Sequence, residues 1–122
     1  MATSVCSLEN KHCKPCEGGM PPLDTETLTK YMQQLDTQWQ ISSDNKSIFR
    51  DFKFKNYYHT MAFVNAVAWL AHAENHHPDL EVGFNHCLIK FTTHAIDGLS
   101  ENDFICAAKI DTLLPSFIGN KS

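Results

Sequence analysis

The sequence predicts an α+β domain in which three helices cover one face of a four-stranded antiparallel sheet, in the order α-β-β-α-β-β-α. Three observations predict it. Apolar residues recur at helical spacing in three separate segments, they alternate with polar residues in the stretches between, and the links inside each pair of alternating stretches are too short for parallel crossovers. The chain has 122 residues, one domain by size, and a chain of this length builds a core without a metal or disulfide. Its 43% hydrophobic and 20% charged residues are the balance of a globular protein.

Residues 1–20 are poor in apolar side chains and end in Glu17-Gly18-Gly19, which reads as an irregular N-terminal arm ahead of a single domain at 21–118. After Pro21-Pro22, Asp24 and Thr25 are good N-cap types and Glu26 suits the positive end of a helix. Leu28, Tyr31, Met32 and Leu35 then give the first helix its apolar stripe. Trp39 and Ile41 alternate with polar neighbours, Asp44-Asn45-Lys46 supplies a turn, and Ile48 to Phe54 forms the second strand of a hairpin.

The longest periodic segment runs from about Tyr57 to Glu74. Tyr57, Met61, Val64 and Ala68 line one side, and Phe63, Val67, Leu70 and Ala71 widen the stripe. So apolar a helix needs a large cover, such as a sheet plus a partner subunit. Pro78 is expected to end it. Leu80, Val82 and Phe84 alternate as a half-buried strand, and a further strand from about His86 to Thr93 puts Cys87, Ile89 and Phe91 on one face. Gly98 breaks that strand. Ser100 and Asp103 have capping-box spacing for a last helix carrying Phe104, Ala107, Ala108 and Leu113.

Composition excludes several function classes. Ten Lys+Arg against fourteen Asp+Glu give a net charge of −4, and the basic residues are scattered, so no nucleic-acid surface is expected. No apolar run is long enough to span a membrane. The start of the chain lacks the order of a secretory signal, and five cysteines cannot all pair, so a cytoplasmic location is expected.

Seven histidines are many for this length, and three of them carry the strongest local signal. His76 and His77 sit where a helix gives way to a strand, and His94 lies at the end of the last strand. If the two hairpins join in one sheet, all three imidazoles reach one pocket. Imidazole, with an unperturbed pKa of about 6.5, suits proton transfer near neutral pH. The ordinary reading of a His-His pair is a surface or capping pair, and convergence is what separates the two. No acidic or cysteine partner stands at zinc-ligand spacing, so no metal is expected. Cys13 and Cys16, in His12-Cys13-Lys14-Pro15-Cys16, lack a second pair for zinc and the strand-to-helix setting of a redox motif. They read as a reduced pair in the arm. Asp103 reads as a helix-capping acid.

From about Cys13 to Phe117 the chain resembles the pterin-4a-carbinolamine dehydratases. The resemblance is carried by Cys13-Lys14-Pro15-Cys16-Glu17-Gly18-Gly19, Phe63-Val64-Asn65, His76-His77-Pro78-Asp79-Leu80, Thr93-His94, Gly98-Leu99-Ser100 and Asp103-Phe104. That family's spaced signature reads here as His72, His76-His77-Pro78, Phe84, His94 and Asp103, with five, nine and eight residues in the last three gaps. Two positions depart from the common pattern: His72 stands where Glu is frequent, and Phe84 where relatives often carry Trp or Tyr.

The resemblance implies dehydration of 4a-hydroxytetrahydrobiopterin to quinonoid dihydropterin and water, in the recycling of the tetrahydropterin used by aromatic amino acid hydroxylases. It makes His76 and His94 the proton shuttles, has His77 orient the pterin, and places His72, Pro78, Phe84, Thr93 and Asp103 around the substrate. It implies no metal or organic cofactor, and a homodimer or homotetramer packed through the long helices. Two other readings stay open: a non-catalytic dimerisation module using the long-helix face, as in transcription coactivators, and a pterin-binding role tied to molybdenum cofactor metabolism.

Overall fold

The computed structural model describes residues 8–15 and 20–114. Helix α1 spans Thr25–Met32, strands β1 and β2 span Gln40–Ile41 and Ile48–Lys53, and helix α2 spans Tyr57–Glu74. Strands β3 (Asp79–Val82) and β4 (His86–Phe91) follow, then helix α3 at Glu101–Asp111. This is the expected order. The strands form one sheet, β1-β2-β4-β3, every neighbour antiparallel. The two hairpins join through β2 and β4, in register from Ile48 opposite Phe91 to Lys53 opposite His86.

Strand periodicity decides which face is covered. Ile48, Arg50 and Phe52 on β2, and Cys87, Ile89 and Phe91 on β4, are buried. Phe52 lies against Phe63 of α2, ring centroids 4.9 Å apart. Phe63, Val67, Phe104 and Ile105 complete the core over this face. Arg50 is buried on this face; its guanidinium pairs with Asp111 at 2.9 Å and lies over the Phe52 ring. Trp39 donates to the same carboxylate.

Leu35 and Leu113 fall past the ends of α1 and α3, and β3 is exposed rather than half-buried; other local differences from the sequence expectation have physical causes. The buried seam of α2 is Thr60, Phe63, Val67 and Ala71, whereas Tyr57 and Ala68 are exposed. A helix apolar all round has no polar face to fix its rotation. Thr60 takes the inner position because its hydroxyl donates to the carbonyls of Asn56 and Phe84. Helix α2 is ended by Asn75 rather than Pro78. Asn75 adopts the left-handed conformation at φ 54°, and the amides of Asn75 and His76 close back on the carbonyls of His72 and Ala71.

Strand β3 stops at Val82 and leaves Phe84 in the turn, because the Gly83 amide already bonds the His86 carbonyl at 2.9 Å. Strand β4 stops at Phe91, after which Thr93 bridges to Gly98 around a 3-10 turn at His94–Ile96. A Cβ at Gly98 would sit 2.8 Å from Pro22, so glycine there lets the chain entering α1 lie against this turn.

Part of the N-terminal arm is ordered against α3. Leu8 opens a 3-10 turn and is buried in the core, and Lys11 pairs with Glu101 at 2.6 Å. Cys16 lies outside the described residues.

Candidate active site

The Asn75 cap directs the chain. By reversing the backbone at the end of α2, it sends His76 inward under β4 and leaves His77 at the surface. The His76 ring stacks on Phe91, planes 8° apart with centroids at 5.9 Å. Its Nε2 lies 2.6 Å from Oδ1 of Asp103.

Asp103 has no exposed surface. Its Oδ2 accepts the Thr93 hydroxyl at 2.8 Å and the Ser100 amide at 3.0 Å, and the Thr93 and Ser100 hydroxyls are bonded at 2.7 Å. Asp103 thus closes the capping box of α3 with one oxygen and fixes His76 with the other. Three elements meet at one carboxylate: the end of α2, the exit of β4 and the first turn of α3.

These elements enclose a cavity of about 590 Å³, lined by Cys13–Pro15, Ala73–His77, Thr92–Ala95 and Asn102. The volume falls within the range of small-molecule sites. His76, His77 and His94 all line it. They come from segments joined only because β4 runs antiparallel beside β3 and ends next to the α2 terminus. His94 opens the 3-10 turn and is exposed, as is His77. The arrangement is an open hollow with one fixed imidazole in its wall and two solvated ones at its rim.

Of the remaining site residues expected from the sequence, Thr93 lines the cavity, and Asp103 lies beneath it. His72, Pro78 and Phe84 are not among the lining residues. His72 packs beside Trp69 on the exposed side of α2. Phe84 is stacked on Tyr57, in the β3–β4 turn at the far end of the hairpin from His94. Sequence reasoning missed Cys13–Pro15 and Asn102 as lining, and it gave no role to Glu74, Asn75 and Thr92, which flank the histidines and also line the cavity. No local pattern links positions 13, 74 and 102, since only the tertiary fold brings them together.

The sequence profile described as pterin 4 alpha carbinolamine dehydratase matches residues 21–113. The chain belongs to the pterin 4 alpha carbinolamine dehydratase family. A Nitrosomonas eutropha protein that bears the pterin-4-alpha-carbinolamine dehydratase name provisionally is 60% identical over 93% of this chain and 99% of its own. One from Legionella pneumophila strain Corby, named in the same provisional way, is 58% identical over 88% of this chain and 95% of its own.

Two solved structures extend the likeness beyond dehydratases. A Brucella melitensis protein described as a transcriptional coactivator/pterin dehydratase superposes with a TM-score of 0.72 at 27% identity, over 75% of this chain and 97% of that one. A pterin dehydratase-like protein described as a RuBisCO assembly factor in the alpha-carboxysome gives 0.55 at 27% identity, over 62% of this chain and 88% of that one. Proteins described with more than one role therefore share this fold.

Proposed function

We propose that this chain dehydrates a 4a-hydroxytetrahydropterin, with 4a-hydroxytetrahydrobiopterin as the substrate, to quinonoid dihydropterin and water. The observation that carries the reading is that His76, His77 and His94 line one cavity and that His76 is held there by a buried carboxylate. An acid protonates the C4a hydroxyl, which leaves as water, and a base takes the N5 proton as the C4a=N5 double bond forms. His76 and His94 exchange those two protons, and His77 orients the ring. With Nε2 of His76 turned to Asp103, Nδ1 is the nitrogen that serves the substrate, the division of labour by which a carboxylate fixes an imidazole tautomer.

Thr93 and Asp103 support the site from beneath. Family membership favours this substrate over a pterin of molybdenum cofactor metabolism. The reading places the protein in the cytoplasm, working after tetrahydropterin-dependent aromatic amino acid hydroxylases.

The test is carbinolamine dehydration by His76→Ala and His94→Ala variants. Each is expected to lose roughly 10²- to 10⁴-fold in kcat, the usual worth of a general acid or base, with an unchanged far-UV circular dichroism spectrum. A His94→Ala variant as fast as the parent overturns the acid–base assignment.

A specific observation also favours self-association. Trp69 and Tyr58 of α2 are 70% and 82% exposed, a surface suited to a homodimer or homotetramer built on the long helices.

A further inference from the structure

Beyond the three histidines, the cavity has a wall supplied by the N-terminal arm, and that wall is held by two buried polar side chains. Cys13, Lys14 and Pro15 line the cavity. The Cys13 amide donates to Glu74 Oε1 at 2.7 Å. Asn102 engages the Lys14 backbone twice: its Oδ1 accepts the Lys14 amide at 3.0 Å, and its Nδ2 donates to the Lys14 carbonyl at 2.5 Å. This is a strand-like pairing made by one side chain. The Cys13 thiol adds a contact at 3.5 Å to the Cys106 sulfur.

The Glu74 side chain is 7% exposed, and Glu74 is the last residue of α2. A carboxylate there opposes the negative end of the helix dipole and has lost water. Burial raises its pKa, yet the Cys13 amide, His12 and Lys109 outweigh burial and hold the carboxyl below its ordinary value. The buried charge gains the arm, besides an ion pair at 3.7 Å with Lys109 of α3. Asn102 is likewise buried, 7% exposed, and its side chain both accepts from and donates to the Lys14 backbone. The family profile begins at residue 21, so the arm adds a wall to the histidine set that the profile spans.

We propose that Cys13–Pro15 is a substrate-contacting wall of the cavity, and that Glu74 and Asn102 are positioning residues which hold it against the bound pterin. The inference rests on the dehydratase reading of the site. The wall supplies no group to the proposed proton transfers and offers the substrate a packed peptide edge. It therefore contributes binding shared by ground and transition states, and its loss is felt in KM rather than kcat.

The experiment compares Asn102→Ala, Glu74→Ala and Glu74→Gln in the full-length protein. It measures kcat and KM for dehydration and, separately, the Kd of a non-reacting dihydropterin. Asn102→Ala and Glu74→Ala are expected to raise KM and Kd together by roughly 10-fold, the effect of losing one or two hydrogen bonds that hold the wall, with kcat within about 2-fold of the parent. Glu74→Gln keeps an oxygen to accept the Cys13 amide, so it should restore KM to near the parent value, a rescue a general loss of stability would not give. If Asn102→Ala does not fold, the Glu74 pair decides alone. Unchanged KM and Kd in the alanine variants, or a fall in kcat at constant KM, overturns the proposal. A parent protein that binds the dihydropterin but shows no turnover refutes the dehydratase reading, and the Kd series still decides the wall.

Discussion

Asp103 does two jobs with two oxygens, and a single isosteric change separates them. Its Oδ2 accepts from the Thr93 hydroxyl and the Ser100 amide, while Oδ1 meets Nε2 of His76. In Asp103→Asn the oxygen must stay with the Ser100 amide, which can only donate. The new amide nitrogen then faces His76 and donates to Nε2, which moves the ring proton to Nδ1, the nitrogen needed for the substrate. The variant should fold, at a cost of about 1–3 kcal/mol for a weakened buried hydrogen-bond set, and lose roughly 10²- to 10⁴-fold in kcat. Nitrogen NMR of the His76 ring would report the tautomer, and an unchanged tautomer with full activity would remove Asp103 from the proposed mechanism. The capping role of Asp103 was legible in the spacing Ser100-x-x-Asp103. Its hold on His76, 27 residues away, was not, because no local pattern encodes a contact between the end of one helix and the start of another.

At the scale of elements, the end of α2 sets where the histidines go. Asn75 at φ 54° is left-handed, a conformation that costs most residues about 1–2 kcal/mol and that asparagine and glycine tolerate. Asn75→Ala should therefore lower stability by about 1 kcal/mol in urea denaturation, and Asn75→Gly should stay near the parent. If alanine and glycine behave alike, the cap is not what fixes the turn into His76. The helix itself was legible from Tyr57 to Glu74 because its apolar run is long and bounded. Its rotation was not, since apolar residues on every side give periodicity no preferred face. The β3 alternation has the opposite fault. It continues through Leu80, Val82 and Phe84 in the sequence, but the strand register ends at Val82 opposite Cys87, and alternation says nothing about where a partner strand stops.

For the whole molecule, sheet order is the decisive feature. Joining the hairpins through β2 and β4 leaves β3 as an edge strand with all four residues exposed. Its Leu80 and Val82 pair with the buried Ile89 and Cys87, so they lie on the helix-covered side of the sheet yet remain open to solvent. An uncovered edge and solvent-facing Trp69 and Tyr58 on α2 are liabilities in a lone subunit and assets in an assembly. The long apolar helix in the sequence already called for a cover larger than its own sheet; the strand order adds an unpaired edge that spacing alone did not reveal. A homo-oligomer that buries the α2 face, the β3 edge or both resolves them. The expected result in sedimentation at micromolar concentration is a species larger than the monomer. Trp69→Glu combined with Val82→Lys should shift it toward monomer, because a charge buried in an apolar contact without a partner costs several kcal/mol. The dissociated variant should retain its circular dichroism spectrum, as neither residue belongs to the buried core. A parent chain that sediments as a monomer leaves these surfaces uncovered and sinks self-association.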